Sequence, residues 1–152
     1  MPARTITQFS VFLVNKPGVL AQVTKALAEA KVNIIAMTLV DSQEHGVMRL
    51  VAEDPQQTRQ VLARLNLPTT ETEVLALELS NRPGALADVA ELLAKNHLNI
   101  NYAYVSSGAP GGRTTGIFKV NDNRKALRLL KDSSTKPSRQ HGLATRPRPG
   151  RR

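Results

Sequence analysis

The sequence predicts an α+β protein made of two tandem copies of one βαββαβ module, with antiparallel sheets covered by helices on one face. One observation is an internal repeat: a segment of twenty residues recurs 66 positions later without a gap. The other is that the same order of strand-like and helix-like patterns surrounds each copy.

The repeat aligns residues 15–34 with residues 81–100, and ten of the twenty positions are identical. Lys16 and Arg82 also preserve a positive charge. Chance rarely produces such a match, so we infer a duplication. The identical pairs are Asn15/Asn81, Pro17/Pro83, Gly18/Gly84, Leu20/Leu86, Ala21/Ala87, Val23/Val89, Leu27/Leu93, Ala28/Ala94, Asn33/Asn99 and Ile34/Ile100.

Each copy contains the same succession of predicted elements. Apolar runs of buried-strand length precede the repeated segment, and a helix with apolar residues three or four positions apart follows them. Asp54, and Asp122 or Asn123, are candidate N-caps of the second helices. The predicted strands are 9–14, 34–40, 47–52, 74–79, 100–105 and 115–120, and the helices are 19–30, 56–65, 85–93 and 124–131.

The two copies differ at their ends. Thr70 to Leu79 is long enough to be the last strand of copy one and to continue into the first strand of copy two. After Leu130 the chain has three prolines and no apolar alternation, so the last strand of copy two is expected to be missing or altered. The predicted organisation is module one at 5–72, module two at 73–131, and a basic disordered tail at 132–152.

The duplicated Asn-Lys/Arg-Pro-Gly-x-Leu-Ala signature, with Asn-Ile some fifteen residues later, resembles the ACT domain. ACT domains are amino-acid-sensing modules attached to many enzymes of amino-acid metabolism. Two of them without a catalytic domain resemble the free-standing tandem ACT proteins. The resemblance covers residues 5–131 and implies ferredoxin-like modules, joined side by side, that bind a free amino acid and regulate a partner enzyme of amino-acid metabolism.

The repeated junctions suit a zwitterionic ligand. A helix N-terminus offers unpaired backbone N–H groups and a partial positive charge to a carboxylate. A glycine lets a ligand approach the backbone, and the preceding proline stiffens the loop. The candidate ligand-binding residues are Asn15, Pro17, Gly18, Val19, Leu20 and Asn33 in copy one, and Asn81, Pro83, Gly84, Ala85, Leu86 and Asn99 in copy two.

Structural roles compete with these assignments. Asn-x-Pro-Gly is also an ordinary turn in which Asn caps a helix, and Asn33 and Asn99 suit turn positions. His45, His97 and His141 lie far apart without metal-ligand spacing, so no metal or other cofactor is expected. The apolar stripes of the helices are expected to form the core.

The composition argues against several classes of function. The chain has no cysteine and 3% aromatic residues, which removes thiolate chemistry and disfavours base stacking. The net charge of +9 arises wholly from residues 124–152, which hold ten Lys and Arg against Asp132. Nucleic-acid binding is therefore disfavoured for the body of the protein. No apolar run has the length of a signal peptide or a membrane span, so we expect a cytoplasmic location.

Three functions remain open. The first is an amino-acid-binding regulatory protein. The second is a ligand-free interaction module that pairs through exposed sheet edges, and homodimerisation is expected with either of these. The third is a basic tail that binds nucleic acid or an acidic partner. An enzyme is disfavoured, because the sequence shows no nucleophile and base in a recognisable order, no phosphate loop and no cofactor fingerprint.

Overall fold

The computed structural model describes residues 2–14, 16–40, 45–107 and 112–133. Within these residues the chain forms six strands and four helices in the predicted order. They are β1 (Ala3–Val14), α1 (Val19–Glu29), β2 (Ile34–Val40), β3 (His45–Ala52), α2 (Pro55–Arg64), β4 (Thr69–Ser80), α3 (Ala85–Lys95), β5 (Ile100–Ser107), β6 (Arg113–Val120) and α4 (Asn123–Ser133).

Local sequence explains where the second helix of each half begins. The Asp54 carboxylate accepts a hydrogen bond from the Gln57 backbone N–H at 2.9 Å, so Asp54 caps α2 as predicted. In α4 the corresponding acceptor is Asp122, which the Lys125 N–H approaches at 3.0 Å. Helix α4 ends at Ser133, and residues 134–152 of the predicted tail lie outside the described residues.

The described strands form one antiparallel sheet in the order β2-β3-β1-β4-β6-β5. Its centre is the pairing of the two long strands β1 and β4, in which Thr7 lies opposite Glu73. These two residues are also 66 positions apart, the offset of the sequence repeat. A pseudo-twofold axis therefore passes through this pair and relates the two halves of the molecule.

If each half is taken from the repeat, so that the halves begin at Ala3 and at Thr69, the position of the fourth strand in each half is filled by the other half. The N-terminal part of β1, from Ala3 to Thr7, pairs with Leu77 to Glu73 of β4, beside the pairing of β4 with β6. This is where the last strand of the second module would lie. Because one long leading strand serves both halves, the missing last strand of the second module leaves no open edge at that place within the described residues.

Two equivalent cores lie between the sheet and the helices. Phe9, Val11 and Leu13 of β1 pack against Val23 and Leu27 of α1 together with residues of β3 and α2. Their repeat equivalents Leu75, Leu77 and Leu79 pack against Val89 and Leu93 of α3 with residues of β6 and α4. The predicted apolar stripes are thus core, and the tandem ferredoxin-like fold is confirmed.

The face of the sheet opposite the helices is also partly buried. Alternation places Val51, Val74 and Ile117 on this face, and all three are fully buried. The edge strands β2 and β5 contact each other, although no hydrogen-bonded pairing joins them among the described residues. The sheet therefore curls round on this side and encloses a third core.

A polar network crosses this third core. The fully buried Gln8 of β1 donates from Nε2 to the Tyr102 hydroxyl at 2.7 Å, and its Oε1 accepts from the Tyr104 hydroxyl at 2.8 Å. The Arg49 guanidinium lies 3.9 Å from the centroid of the Tyr102 ring. The repeat equivalents of Tyr102 and Tyr104 on β2 are Ala36 and Thr38, so the bulky residues come from one half only.

Stability at high pH is expected to depend on Tyr104. Burial raises the pKa of Tyr104, the neighbouring Tyr102 adds to the rise, and Arg49 partly opposes it. Because the unfolded chain has the ordinary tyrosine pKa of about 10, it loses this proton first as the pH rises. We expect the free energy of unfolding to decrease above about pH 10, and the decrease to be smaller in Tyr104→Phe.

Denaturant unfolding of both chains on either side of that pH checks this expectation. The chain has two tyrosines and no tryptophan, so tyrosinate absorbance reports Tyr102 and Tyr104 alone. Equal losses of stability in the parent and Tyr104→Phe would show that the expectation is wrong.

Candidate functional site

The first strand-to-helix junction connects the end of β1 to α1 through a tight turn. The Lys16 N–H donates to the Val14 carbonyl at 2.9 Å, and Gly18 occupies the N-cap position with φ of 89°. In the second half Gly84 has φ of 86° at the equivalent place. This left-handed conformation favours glycine and explains why the Pro-Gly pair recurs.

A cavity of about 310 Å³ lies beside the first junction. It is bounded by the end of β1, the start of α1, the end of β2 and the start of β3. Its lining is mostly apolar, with one cationic side chain. The lining residues are Leu13, Val14, Lys16, Val19, Leu20, Leu39, Val40 and Gly46.

A second cavity, of about 150 Å³, lies beside the second junction. Most of its walls are the repeat equivalents of those of the first cavity, so the pseudo-twofold axis also relates the two cavities. Its lining residues are Leu79, Ser80, Asn81, Arg82, Ala85, Leu86, Val105 and Thr114.

The charged residue of the junction is ion-paired in the second half but, among the described residues, not in the first. Arg82 donates from Nη2 to the Asp88 carboxylate at 2.9 Å and from Nη1 to the Pro83 carbonyl at 3.1 Å. The repeat equivalent of Asp88 is Gln22, which cannot form an ion pair. Within the described residues Lys16 has no ion-pair partner.

The first backbone N–H groups of α1 and α3 lie at the two strand-to-helix junctions. No side chain within the described residues caps α1 or α3, because Gly18 and Gly84 occupy the N-cap positions. The first N–H groups of a helix have no acceptor inside it and can donate to an anion. At the second junction the Ala85 N–H is directed instead to the Arg82 carbonyl, at 3.4 Å.

The structure brings part of the predicted residue set to the cavities. Val19 and Leu20 line the first cavity, and Asn81, Ala85 and Leu86 line the second. The Asn81 N–H donates to the Gly112 carbonyl at 2.9 Å. Asn15 lies outside the described residues. The exposed residues Pro17, Gly18, Pro83 and Gly84 form the turns beside the cavities rather than their walls.

Asn33 and Asn99 lie away from the cavities, where β2 and β5 begin. Asn33 donates from Nδ2 to Glu53 at 2.9 Å, and Asn99 donates from Nδ2 to Asn101 at 3.1 Å. Because β2 runs parallel to β1, its first residue lies at the opposite end of the sheet from the junction. Such contacts are typical of residues that stabilise a turn. A ligand-binding role for Asn33 and Asn99 stays a prediction.

Sequence reasoning missed the walls that β2, β3, β5 and β6 contribute. Leu39 and Val40 at the end of β2, and Val105 on β5, were assigned only to strands. A signal was available, because the two strands of a βαβ unit run parallel and therefore end on the same side of the sheet. The C-terminal end of β2 thus had to lie near the junction after β1.

Two further observations bear on function. Within the described ranges, no three acidic or histidine side chains come close enough to hold a metal ion. Among the same residues, no helix is both long and apolar enough to cross a membrane.

The duplicated ferredoxin-like fold and the two glycine turns beside equivalent cavities define a paired ACT-type module. A family model described as an ACT domain pair matches residues 4–136. The chain therefore belongs to the ACT domain pair family, as the repeat signature predicts. No curated protein sequence matches the chain.

Several solved structures are similar to this chain. Protein BT0572 from Bacteroides thetaiotaomicron is 27% identical with a TM-score of 0.80, over 87% of this chain and 90% of that one. The ligand-free regulatory subunit of aspartate kinase from Thermus thermophilus is 15% identical with a TM-score of 0.63, over 88% and 97%. The same subunit from Thermus flavus is 16% identical with a TM-score of 0.57, over 88% and 97%. For the two regulatory subunits, the similarity to this chain concerns the fold alone.

Proposed function

We propose that this chain is a non-catalytic regulatory protein that binds a free amino acid at a strand-to-helix junction. The observation that carries the proposal is that a cavity lies beside each of the two repeated junctions. Membership of the ACT domain pair family supports it, as do the helix N-termini beside the cavities, which no side chain among the described residues caps and which suit a carboxylate.

Binding would act on a partner through linkage. A ligand that binds one state of the protein stabilises that state by about 2.7 kcal/mol when its concentration is a hundredfold above Kd. That free energy is enough to change the association with a partner enzyme of amino-acid metabolism. Two of the similar folds are named as regulatory subunits of aspartate kinase, which supports a partner of this kind.

A thermal-shift screen against the twenty amino acids tests the proposal. At a hundredfold excess over Kd we expect at least one of them to raise the melting temperature by roughly 5–10 °C, since about 1 kcal/mol corresponds to roughly 2–4 °C in a chain of this size.

The control is the double variant Leu39→Trp/Val105→Trp, which fills both cavities from exposed positions. It is expected to melt near the parent temperature without responding to any amino acid. The absence of a shift and of binding heat in the parent chain with all twenty would contradict the proposal.

One observation favours a second candidate, a ligand-free homodimer. Phe12, Val14 and Val40 lie on the non-helical face at the end of the first half and are 39%, 52% and 44% exposed. Their repeat equivalents are Glu78, Ser80 and Ser106, so the fold does not require apolar residues there. This candidate predicts self-association in ultracentrifugation and no response in the thermal-shift screen.

A further inference from the structure

We infer that only the first junction binds ligand, one molecule per chain, and that this ligand is an amino acid with an apolar side chain. The inference rests on the proposed function and adds to it the number of sites and the class of ligand. It follows from two differences, one of size and one of charge, between the cavities beside the two junctions. An exact repeat would have made these cavities identical.

The first difference is size. Small-molecule sites in proteins have volumes of roughly 300–1,000 Å³, and the first cavity, at about 310 Å³, reaches this range. The second cavity, at about 150 Å³, falls well below it. Part of the reason is that Thr114 stands where the first half has Gly46, since these residues pair with the equivalent Leu79 and Leu13. The Thr114 side chain takes space that Gly46 leaves open.

The second difference is charge. At the second junction Arg82 is held by Asp88 and by the Pro83 carbonyl, so a ligand carboxylate would have to compete with an existing ion pair. At the first junction Lys16 has no such partner among the described residues, and Gln22 replaces the acid. Lys16 is therefore the junction cation that can accept a ligand anion without a rearrangement.

The lining of the first cavity indicates the class of ligand. Aliphatic side chains on the strand and helix walls line this cavity together with Lys16, including Leu13, Leu20 and Leu39. A charged or strongly polar ligand side chain would lose its hydration against these walls without gaining partners. An apolar side chain would instead bury its surface there, while its α-carboxylate lies near Lys16.

Isothermal titration calorimetry on the full chain tests the inference. The probes are leucine, isoleucine, valine and phenylalanine, with aspartate and serine for comparison. We expect binding of at least one apolar amino acid at one molecule per chain, and affinities for aspartate and serine that are lower by roughly tenfold or more.

Matched variants then assign the site. Leu39→Trp and Val105→Trp alter equivalent positions that are 49% and 47% exposed, so both chains are expected to fold, which their melting curves verify. Leu39→Trp should abolish binding and Val105→Trp should leave it unchanged. Lys16→Gln should weaken binding by roughly tenfold or more, because a hydrogen bond to a charged group is lost. Arg82→Gln should not weaken it.

The outcomes separate this inference from the function on which it rests. Two molecules bound per chain, loss of binding in Val105→Trp, or a preference for aspartate or serine would overturn the inference and leave amino-acid sensing intact. No binding of any amino acid by the parent chain would overturn both.

Discussion

A chain that begins at Gln8 is expected to be less stable than the full chain by about 3 kcal/mol or more, and to associate through the strand edge that the deletion exposes. The deletion removes the part of β1 that pairs with Leu77 to Glu73 of β4. Each lost hydrogen bond contributes about 1 kcal/mol net, and the apolar contacts of Ile6 with the third core are lost as well. Urea unfolding measures the first effect, and analytical ultracentrifugation measures the second.

The control keeps the strand and changes only side chains. Arg4→Ala/Thr5→Ala alters two exposed residues of the same segment, and its free energy of unfolding should stay within about 1 kcal/mol of the parent. If the truncated chain were as stable and as monomeric as this control, the N-terminal part of β1 would not serve as the fourth strand of the second half.

Gln8→Leu is expected to lower the free energy of unfolding by about 2–3 kcal/mol. The substitution leaves the hydroxyls of Tyr102 and Tyr104 without the buried amide that pairs with them. A partly buried polar group that loses its partner costs about 1–3 kcal/mol. Guanidinium unfolding followed by circular dichroism measures the change.

Removing the whole network provides the comparison. In the triple variant Gln8→Leu/Tyr102→Phe/Tyr104→Phe no hydroxyl is left unpaired, so much of the lost stability should return. A triple variant less stable than Gln8→Leu would show that the cost of the single substitution does not come from the unpaired hydroxyls.

The sequence was sufficient to predict the order of the elements and the family. Repetition at a fixed offset identifies equivalent positions without any knowledge of structure, and a strand followed by an amphipathic helix is visible from spacing alone. The Asp54 cap was predictable for the same reason, because its acceptor and donor lie three residues apart. Such features depend on contacts that are local in the chain.

The pairing of the two leading strands was not predictable in this way. Ala3 to Gln8 shows only a weak alternation of apolar and polar residues. The strand segment with which it pairs lies about seventy residues away on β4. The network of Gln8 with Tyr102 and Tyr104 likewise forms only because the sheet curls until its edge strands meet. Local periodicity carries no information about either arrangement.

The candidate site was partly predictable. The glycine turns follow directly from the repeated Pro-Gly pair, and both glycines adopt the left-handed conformation that favours this residue. The ion pair of Arg82 with Asp88 was not expected, because six residues separate them and only the turn geometry brings them together. Ligand-binding roles for the predicted residues await the calorimetry described above.

The register of β1 against β4 has a consequence for the origin of the chain. With Thr7 and Glu73 on the axis, each half donates the beginning of its own first strand to its neighbour, so neither half encloses a complete sheet by itself. A single-copy ancestor with this topology would have existed as an intertwined homodimer, and gene fusion would have made that dimer permanent. Once both halves belonged to one polypeptide they no longer had to stay identical, as Ala36 against Tyr102 and Gln22 against Asp88 show.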